Sequence, residues 1–293
     1  MLLSLTILVA TLFLISPSSV FASTTLPVSS SGGRAFVPLA ITSHTSTPFA
    51  GFGAAISKIS QATSLKASWV EPTVSCALGT TNAQASFFTE IESSAEYVMT
   101  GTEGQCANPS GTTTTIYEAY FEFSNWCTTL CGLAYYVNSW APAPGDHISA
   151  TVTTSASNIK VTIEDVTKSK TFTQSCSTPP SGTSLSTACG GLLGTGAGNL
   201  YWGADTWYVC NPTCVTQPVA NFGSASFGKD STGVSGTNGA KIGSSTKTIA
   251  TASTADTVYT MVALSSSSTT IASTSSLSKD GTSFSVTWKN AGP

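Results

Sequence analysis

From about residue 48 onward, the chain is patterned in short runs with a period of two. The clearest is Ile116-Tyr117-Glu118-Ala119-Tyr120-Phe121-Glu122-Phe123. Successive residues of a strand face opposite sides, so strict alternation predicts a half-buried β-strand. Tyr117, Ala119, Phe121 and Phe123 fall on a core face, and Ile116, Glu118, Tyr120 and Glu122 on the opposite one. Similar runs predict strands at 65–70, 85–92, 97–100, 114–123, 134–139, 147–154, 158–165, 170–175, 200–209, 220–226, 257–264 and 283–288. Turn residues separate them, as at Pro144-Gly145-Asp146 and Lys279-Asp280-Gly281. No segment carries a long amphipathic helical repeat. Many short strands at regular spacing predict an all-β sandwich or barrel. Residues 176–199 read as a Ser/Thr/Gly-rich insertion and 228–255 as a polar loop.

The first 47 residues are different. Residues 2–16 form an apolar run, and Val20-Phe21-Ala22 places small residues at the −3 and −1 positions of a cleavage site before Ser23. Residues 1–22 therefore read as a signal peptide, although no Lys or Arg precedes the apolar run. The run is short for a membrane span; an uncleaved anchor is the alternative. Residues 23–47 are rich in Ser, Thr and Pro and read as a spacer or short pro-segment. One domain, 48–293, follows, with no internal repeat and no dividing linker. The expected mature protein is a monomer, secreted or held at the extracellular surface, with no membrane span.

Composition narrows the functions. Of the 293 residues 41% are hydrophobic, enough for a large core, and only 9% are charged, with a net charge of −3. A chain with few ionisable groups changes its charge little as pH falls, which suits an acidic exterior. Nothing resembles a basic patch, so nucleic acid is not an expected partner. Eight cysteines, Cys76, Cys106, Cys127, Cys131, Cys176, Cys189, Cys210 and Cys214, follow a signal-like leader and favour disulfides. Proximity favours Cys127–Cys131, Cys210–Cys214 and Cys176–Cys189, leaving Cys76–Cys106. The two C-x3-C pairs could instead hold zinc, but His44 and His147 lie near neither, so no metal or cofactor is expected. Asp146-His147 sits at a turn and does not make a Ser-His-Asp triad. The glycine-rich 190–198 stretch lacks the lysine of a phosphate loop. Tyr201, Trp202, Trp207 and Tyr208 read as core or sheet packing before they read as stacking platforms.

The scarce carboxylates are where chemistry is expected. Glu118 and Glu122 share a strand face with Tyr120. On 85–92, alternation puts Phe88, Glu90 and Glu92 on one face. If the two faces join, up to four carboxyl groups share one site. Close carboxyls push their pKa values apart, so that one keeps its proton while another ionises.

An ordered set of motifs resembles the glutamic peptidases, or eqolisins. Trp69-Val70-Glu71-Pro72 is similar to the family's early Trp-x-x-Pro strand. Ser86-Phe87-Phe88-Thr89-Glu90-Ile91-Glu92-Ser93 occupies the place of a Trp-Val-Gly-Ile-Asp-Gly segment, and Met99-Thr100-Gly101 that of Gln-Thr-Gly. Tyr117 to Phe123 matches Tyr-x-Ala-Trp-Tyr-Glu-Trp. Pro144-Gly145-Asp146, Ala220-Asn221-Phe222-Gly223 and Asp280-Gly281-Thr282-Ser283-Phe284 match later segments. The resemblance spans about residues 50–290. It implies a sandwich of two bent antiparallel sheets, a concanavalin-like jelly roll. It also implies an acid-acting endopeptidase with polypeptide substrates. Glu122 falls on the catalytic glutamate, which with a glutamine activates a water that attacks the peptide carbonyl directly.

The chain departs from that pattern at the glutamine, where it carries Met99. A thioether offers no donor and only a weak acceptor. Glu92 stands where the family has an aspartate, and Glu90 is a carboxyl that the pattern lacks. The catalytic candidates are thus Glu122, Glu92 and Glu90, with Met99, Tyr120, Glu118 and Phe88 as substrate contacts. The competing expectation, which Met99 favours, is a catalytically silent sandwich that binds peptide or glycan outside the cell.

Overall fold

Alternation becomes structure most directly in the strand Thr114–Phe123, whose bounds match the sequence expectation. The computed structural model describes residues 42–291 except 47, 77–82, 95, 108–112, 128–133, 181–183, 186–188, 192, 207, 211–213, 229–237, 253–255 and 264–265. Its strands are β1 (Thr42–Ser46), β2 (Phe49–Ile56), β3 (Ala62–Val70), β4 (Gln84–Ser93), β5 (Tyr97–Ala107), β6 (Thr114–Phe123) and β7 (Trp126–Cys127). They continue with β8 (Tyr135–Tyr136), β9 (His147–Thr154), β10 (Ile159–Asp165), β11 (Lys170–Ser175), β12 (Ser184–Leu185), β13 (Gly198–Asp205) and β14 (Tyr208–Cys210). The last are β15 (Cys214–Thr216), β16 (Ser224–Phe227), β17 (Gly239–Ile242), β18 (Ser245–Thr248), β19 (Asp256–Ala263), β20 (Ser266–Thr274) and β21 (Phe284–Trp288). One short helix, Ile249–Ala252, follows β18.

The strands form two packed antiparallel layers. One runs β8–β6–β5–β4–β13–β2. The other runs β11–β10–β9–β3, with β16 and β17 sharing the far edge of β3 and β21 beyond β16. Pairings of β2 with β19, β19 with β20 and β20 with β21 carry the hydrogen bonding from one layer into the other. Among the described residues, β1 pairs in parallel with β19. Between the layers lies the main core, where Trp69, Phe87, Ile91, Val98, Phe121, Phe123, Ile148, Val161 and Trp202 are buried.

Several expectations shift. Residues 42–46, read as spacer, form β1. Phe49–Ile56, not expected as a strand, is buried along nearly its whole length. The 97–100 strand runs on to Ala107. The polar 228–255 stretch contains the β17–β18 hairpin and the helix, and 134–139 shrinks to Tyr135–Tyr136. Cys76 is bonded to Cys106 and Cys176 to Cys189, as proximity suggested. The β14–β15 hairpin sets Cys210 opposite Cys214 in the backbone. The side chains of these two, and of Cys127 and Cys131, lie outside the described residues.

On the inner side of the first layer sits a buried acid. Glu71 is 1% exposed. Its Oε2 accepts from the Thr102 hydroxyl at 2.5 Å and from the Trp69 indole at 3.3 Å, and that indole also donates to Thr102 at 2.9 Å. Burial pushes the Glu71 pKa up to about 8, against these two donors, with Asp146 and Asp165 adding repulsion. The unfolded chain releases that proton near 4.5. The folded protein therefore holds the extra proton between these values, and its stability falls as pH rises through the window. We expect denaturation free energies to be highest on the acid side and to decline by about 1.4 kcal/mol per pH unit from this group alone. Glu71→Gln should flatten the decline and be more stable than the wild type near neutrality. A pH series of urea denaturation curves checks this.

Candidate active site

The register of β4, β5 and β6 decides which outer-face side chains meet. Glu90 pairs with Met99, and Met99 pairs with Glu122. Tyr201 of β13 pairs with Glu90 on the other side. Tyr201, Glu90, Met99 and Glu122 therefore form one straight row across four strands. Two residues along lies a second row, Gly203, Phe88, Gly101 and Tyr120, and beyond it a third, Asp205, Ser86, Glu103 and Glu118. On the opposite side are Asn199, Glu92 and Tyr97. Strands lie about 4.8 Å apart, so Glu90 and Glu122 stand about 10 Å apart at Cα with Met99 between them.

An apolar cluster separate from the main core covers this face. Phe49, Phe88, Met99, Tyr120 and Tyr201 are buried together, with Tyr97 and Ala134 packed against them. Phe49 meets Phe88 and Tyr201 edge-on, with ring centroids 5.7 and 5.4 Å apart, an arrangement aromatic rings favour. Gly203 makes room for it, since a Cβ there would stand 2.3 Å from the Ala50 carbonyl oxygen and 2.7 Å from the Phe49 ring. Only glycine allows that approach.

Dryness and crowding set the electrostatics. Glu122 is 3% exposed. Burial pushes its pKa up to about 8; Asp205 and Glu103 reinforce the shift, and a hydrogen bond from Tyr97 opposes it. The Tyr97 hydroxyl lies 2.8 Å from Glu122 Oε2. Burial also raises Glu90 well above the usual carboxylate range, with repulsion from Glu92, Asp205 and Glu122 added. Glu92 is raised by burial and held back by Asn199, 3.4 Å away, and by Tyr201. Burial and Glu103 lift Asp205 to about 8, against a hydrogen bond from Ser86. Buried Glu103 accepts from the Tyr136 hydroxyl at 3.0 Å. Two ion pairs, of Lys168 with Asp146 and Asp165, lie elsewhere. The acids of this face thus lower their charge by keeping protons.

All seven residues singled out in the sequence lie on the strands of this face. Glu122, Glu90 and Met99 share the first row. Glu92 is one strand-step to one side, Phe88 and Tyr120 one step to the other, and half-buried Glu118 a step further. Tyr120 is fully buried rather than presented to solvent. Sequence reasoning missed Tyr97, Glu103 and Asp205, and it read Tyr201 as packing without tying it to this site. Tyr97 and Glu103 share the parity of Met99 along β5, a signal that was available; β13 gave no hint of its partners. Among the described residues no group of His, Cys, Asp or Glu is disposed to hold a metal ion.

Fold and site together define an all-β protein with a row of crowded carboxyl groups on one sheet face. The chain belongs to the Peptidase A4 family, whose sequence profile matches residues 48–273. This places it among the glutamic-type peptidases, as its motifs implied. The fold agrees. A scytalido-glutamic peptidase bound to a transition-state analogue inhibitor superposes with a TM-score of 0.56 at 17% identity, over 83% of this chain and 100% of that one. SCP-B, an eqolisin in complex with the tripeptide Ala-Ile-His, superposes with a TM-score of 0.53 at 17% identity over the same shares. No curated protein matches the chain.

The raised Glu122 pKa is directly measurable. The protonated carboxyl band that disappears from the infrared spectrum in Glu122→Gln should persist in the wild type through neutrality and titrate near the value of about 8. Loss of that band by the pH at which ordinary glutamates ionise would show a wet, exposed carboxyl instead.

Proposed function

We propose that this protein is a secreted endopeptidase acting at acidic pH, with Glu122 as the general base for the attacking water. The observation that carries the reading is the row Glu90–Met99–Glu122, a half-buried and a buried carboxyl flanking one position on a face that belongs to a glutamic-peptidase domain.

The water gives its proton to Glu122 as its oxygen bonds to the peptide carbonyl carbon, leaving a tetrahedral oxyanion. Glu90 gives its proton to the amide nitrogen, the C–N bond breaks to leave the acid and the amine, and Glu122 releases its proton to water as Glu90 takes one up, which restores the starting pair. The two carboxyls differ as these roles need. Alone, Glu122 keeps its proton up to about 8 even with the Tyr97 hydroxyl donating to it; its role as base therefore requires that the bound water and substrate add donors that favour the ionised form in the complex. Glu90 shows no hydrogen-bond partner among the described residues and has acidic neighbours, which favour its neutral form. Glu92, held by Asn199 and Tyr201, keeps a further acid beside Glu90. Phe88, Met99 and Tyr120 form the buried apolar floor beneath the carboxyls, and half-buried Glu118 a polar margin on which substrate would rest.

Acid action is supported by what must stay protonated. Glu90 works as a donor only while neutral, and the fold loses stability as Glu71 and Asp205 ionise. Secretion is supported by the apolar leader and by the two disulfides among the described residues. Expected partners are unfolded polypeptides, taken by a monomer.

Met99 favours a second reading, a silent sandwich that binds peptide or glycan. Assays on an unfolded protein at acidic pH separate the two. We expect cleavage resistant to serine-protease inhibitors and chelators. Glu122→Gln should lower the rate by about 10²–10⁴-fold and Glu90→Gln comparably, as for loss of a general base or acid. Cleavage that survives Glu122→Gln would reject the mechanism. A wild type inert at every acidic pH would establish the silent reading.

A further inference from the structure

Met99 leaves Glu122 without the amide that a glutamine would place beside it. A polar group reaches that carboxyl nevertheless. The Tyr97 hydroxyl donates to Glu122 Oε2 at 2.8 Å and is the hydrogen-bond partner the described residues show for Glu122. We propose that Tyr97 is a positioning residue of the active site, its hydroxyl supplying the fixed donor at Glu122 that Met99 cannot. The inference rests on the reading of Glu122 as the base.

Three features make Tyr97 fit for this. Its position is the first. Tyr97 precedes Met99 by two residues on β5 and so shares its face, about 7 Å away along the strand. Opposite Tyr97 on β4 is Glu92. The ring leans across Met99's row to the diagonal residue on β6, a reach that aromatic side chains have.

Its backbone is the second. Tyr97 N–H donates to Ser124 Oγ at 2.9 Å, and Ser124 N–H donates to the Tyr97 carbonyl at 3.1 Å. The Ser124 hydroxyl in turn donates to Glu96 Oε2 at 2.5 Å. The start of β5 is thereby clamped to the end of β6, close to Glu122. The ring is further packed against the Phe49–Phe88–Tyr201 cluster. A tyrosine held in this way loses little further freedom when it makes its bond.

Its protonation is the third. Burial, then Glu122, Glu90 and Glu96, hold the phenol well above its usual pKa. The hydroxyl therefore stays a donor at any pH where the carboxyls do their work. A donor to one carboxylate oxygen favours the ionised form and leaves the other oxygen to accept the proton of water. Tyrosine thus replaces the orienting half of an amide's function. It does so from the strand position beside the one that lost the amide.

Tyr97→Phe tests this while keeping the ring and its packing. A lost hydrogen bond to a charged group corresponds to a fall in kcat of about 10–100-fold. With it, the acidic limb of the pH–rate profile and the infrared titration of Glu122 should both move up by about one to two pH units. A Gln at the neighbouring position should rescue the loss: Met99→Gln combined with Tyr97→Phe recovers kcat, whereas Met99→Gln alone adds little. A tyrosine needed only for packing would lower the melting temperature and leave the Glu122 titration where it was; that result overturns the proposal. Glu122→Gln separates the two layers of argument. If Glu122→Gln retains cleavage, the reading of the base fails. If it is inactive while Tyr97→Phe keeps wild-type kcat and titration, Tyr97 alone is wrongly placed. Should the wild type prove inert, the titration shift still decides whether this hydroxyl poises this carboxyl.

Discussion

The ladders that hold β5 between β4 and β6 are the constraint on which the site depends. Side chains on a strand alternate, so a slip of one residue would turn Met99 and Tyr97 into the core and Val98 and Thr100 out of it. The observed register does the reverse. It buries Val98, Phe121 and Phe123 between the layers and brings Glu90, Met99 and Glu122 into line on the other side. The main core and the candidate site are two consequences of one pairing, and the large hydrophobic term of the first secures the alignment of the second.

That pairing also places buried acids on both sides of the same strand. Thr102, facing inward, holds Glu71; Tyr97, facing outward, holds Glu122. In each case a hydroxyl meets a carboxyl that has almost no contact with water. Neutralising the acid is less costly than ionising it there, and a single donor moderates the shift without cancelling it. The inner acid affects how the fold responds to pH, and the outer ones affect what the face can do with a proton.

How much of this could be read from the residues depends on how local the signal is. β6, β9 and β11 have the bounds that alternation predicts; β6 and β9 put one face in the core, and β11, with no buried residue, follows from its pairing pattern and the flanking turns. The same parity puts Glu122 with Tyr120 and Glu90 with Phe88. β2 was not legible: Phe49–Ile56 is rich in Gly and Ala and buried on both faces, so it does not alternate. Ser245–Thr248 and Ser266–Thr274 are too rich in Ser and Thr to stand out from loops. In the site, parity along β5 already grouped Tyr97 with Met99, but nothing local says which carboxyl its hydroxyl finds. Tyr201 and Asp205 reach the site from more than a hundred residues away, through a pairing that no run within β13 encodes.

The bond from Cys76 to Cys106 bears on the site although it lies far from it. Cys106 is close to the end of β5, and Tyr97, at the other end, is clamped by Ser124. The strand that carries Met99 is thus tied at both tips, at one by a covalent bond to the segment after β3 and at the other by hydrogen bonds to the end of β6. Under reducing conditions one tie opens. Alignment of the acids then relies on the ladders and the core alone, so the redox state of the surroundings governs how strictly the row keeps its spacing.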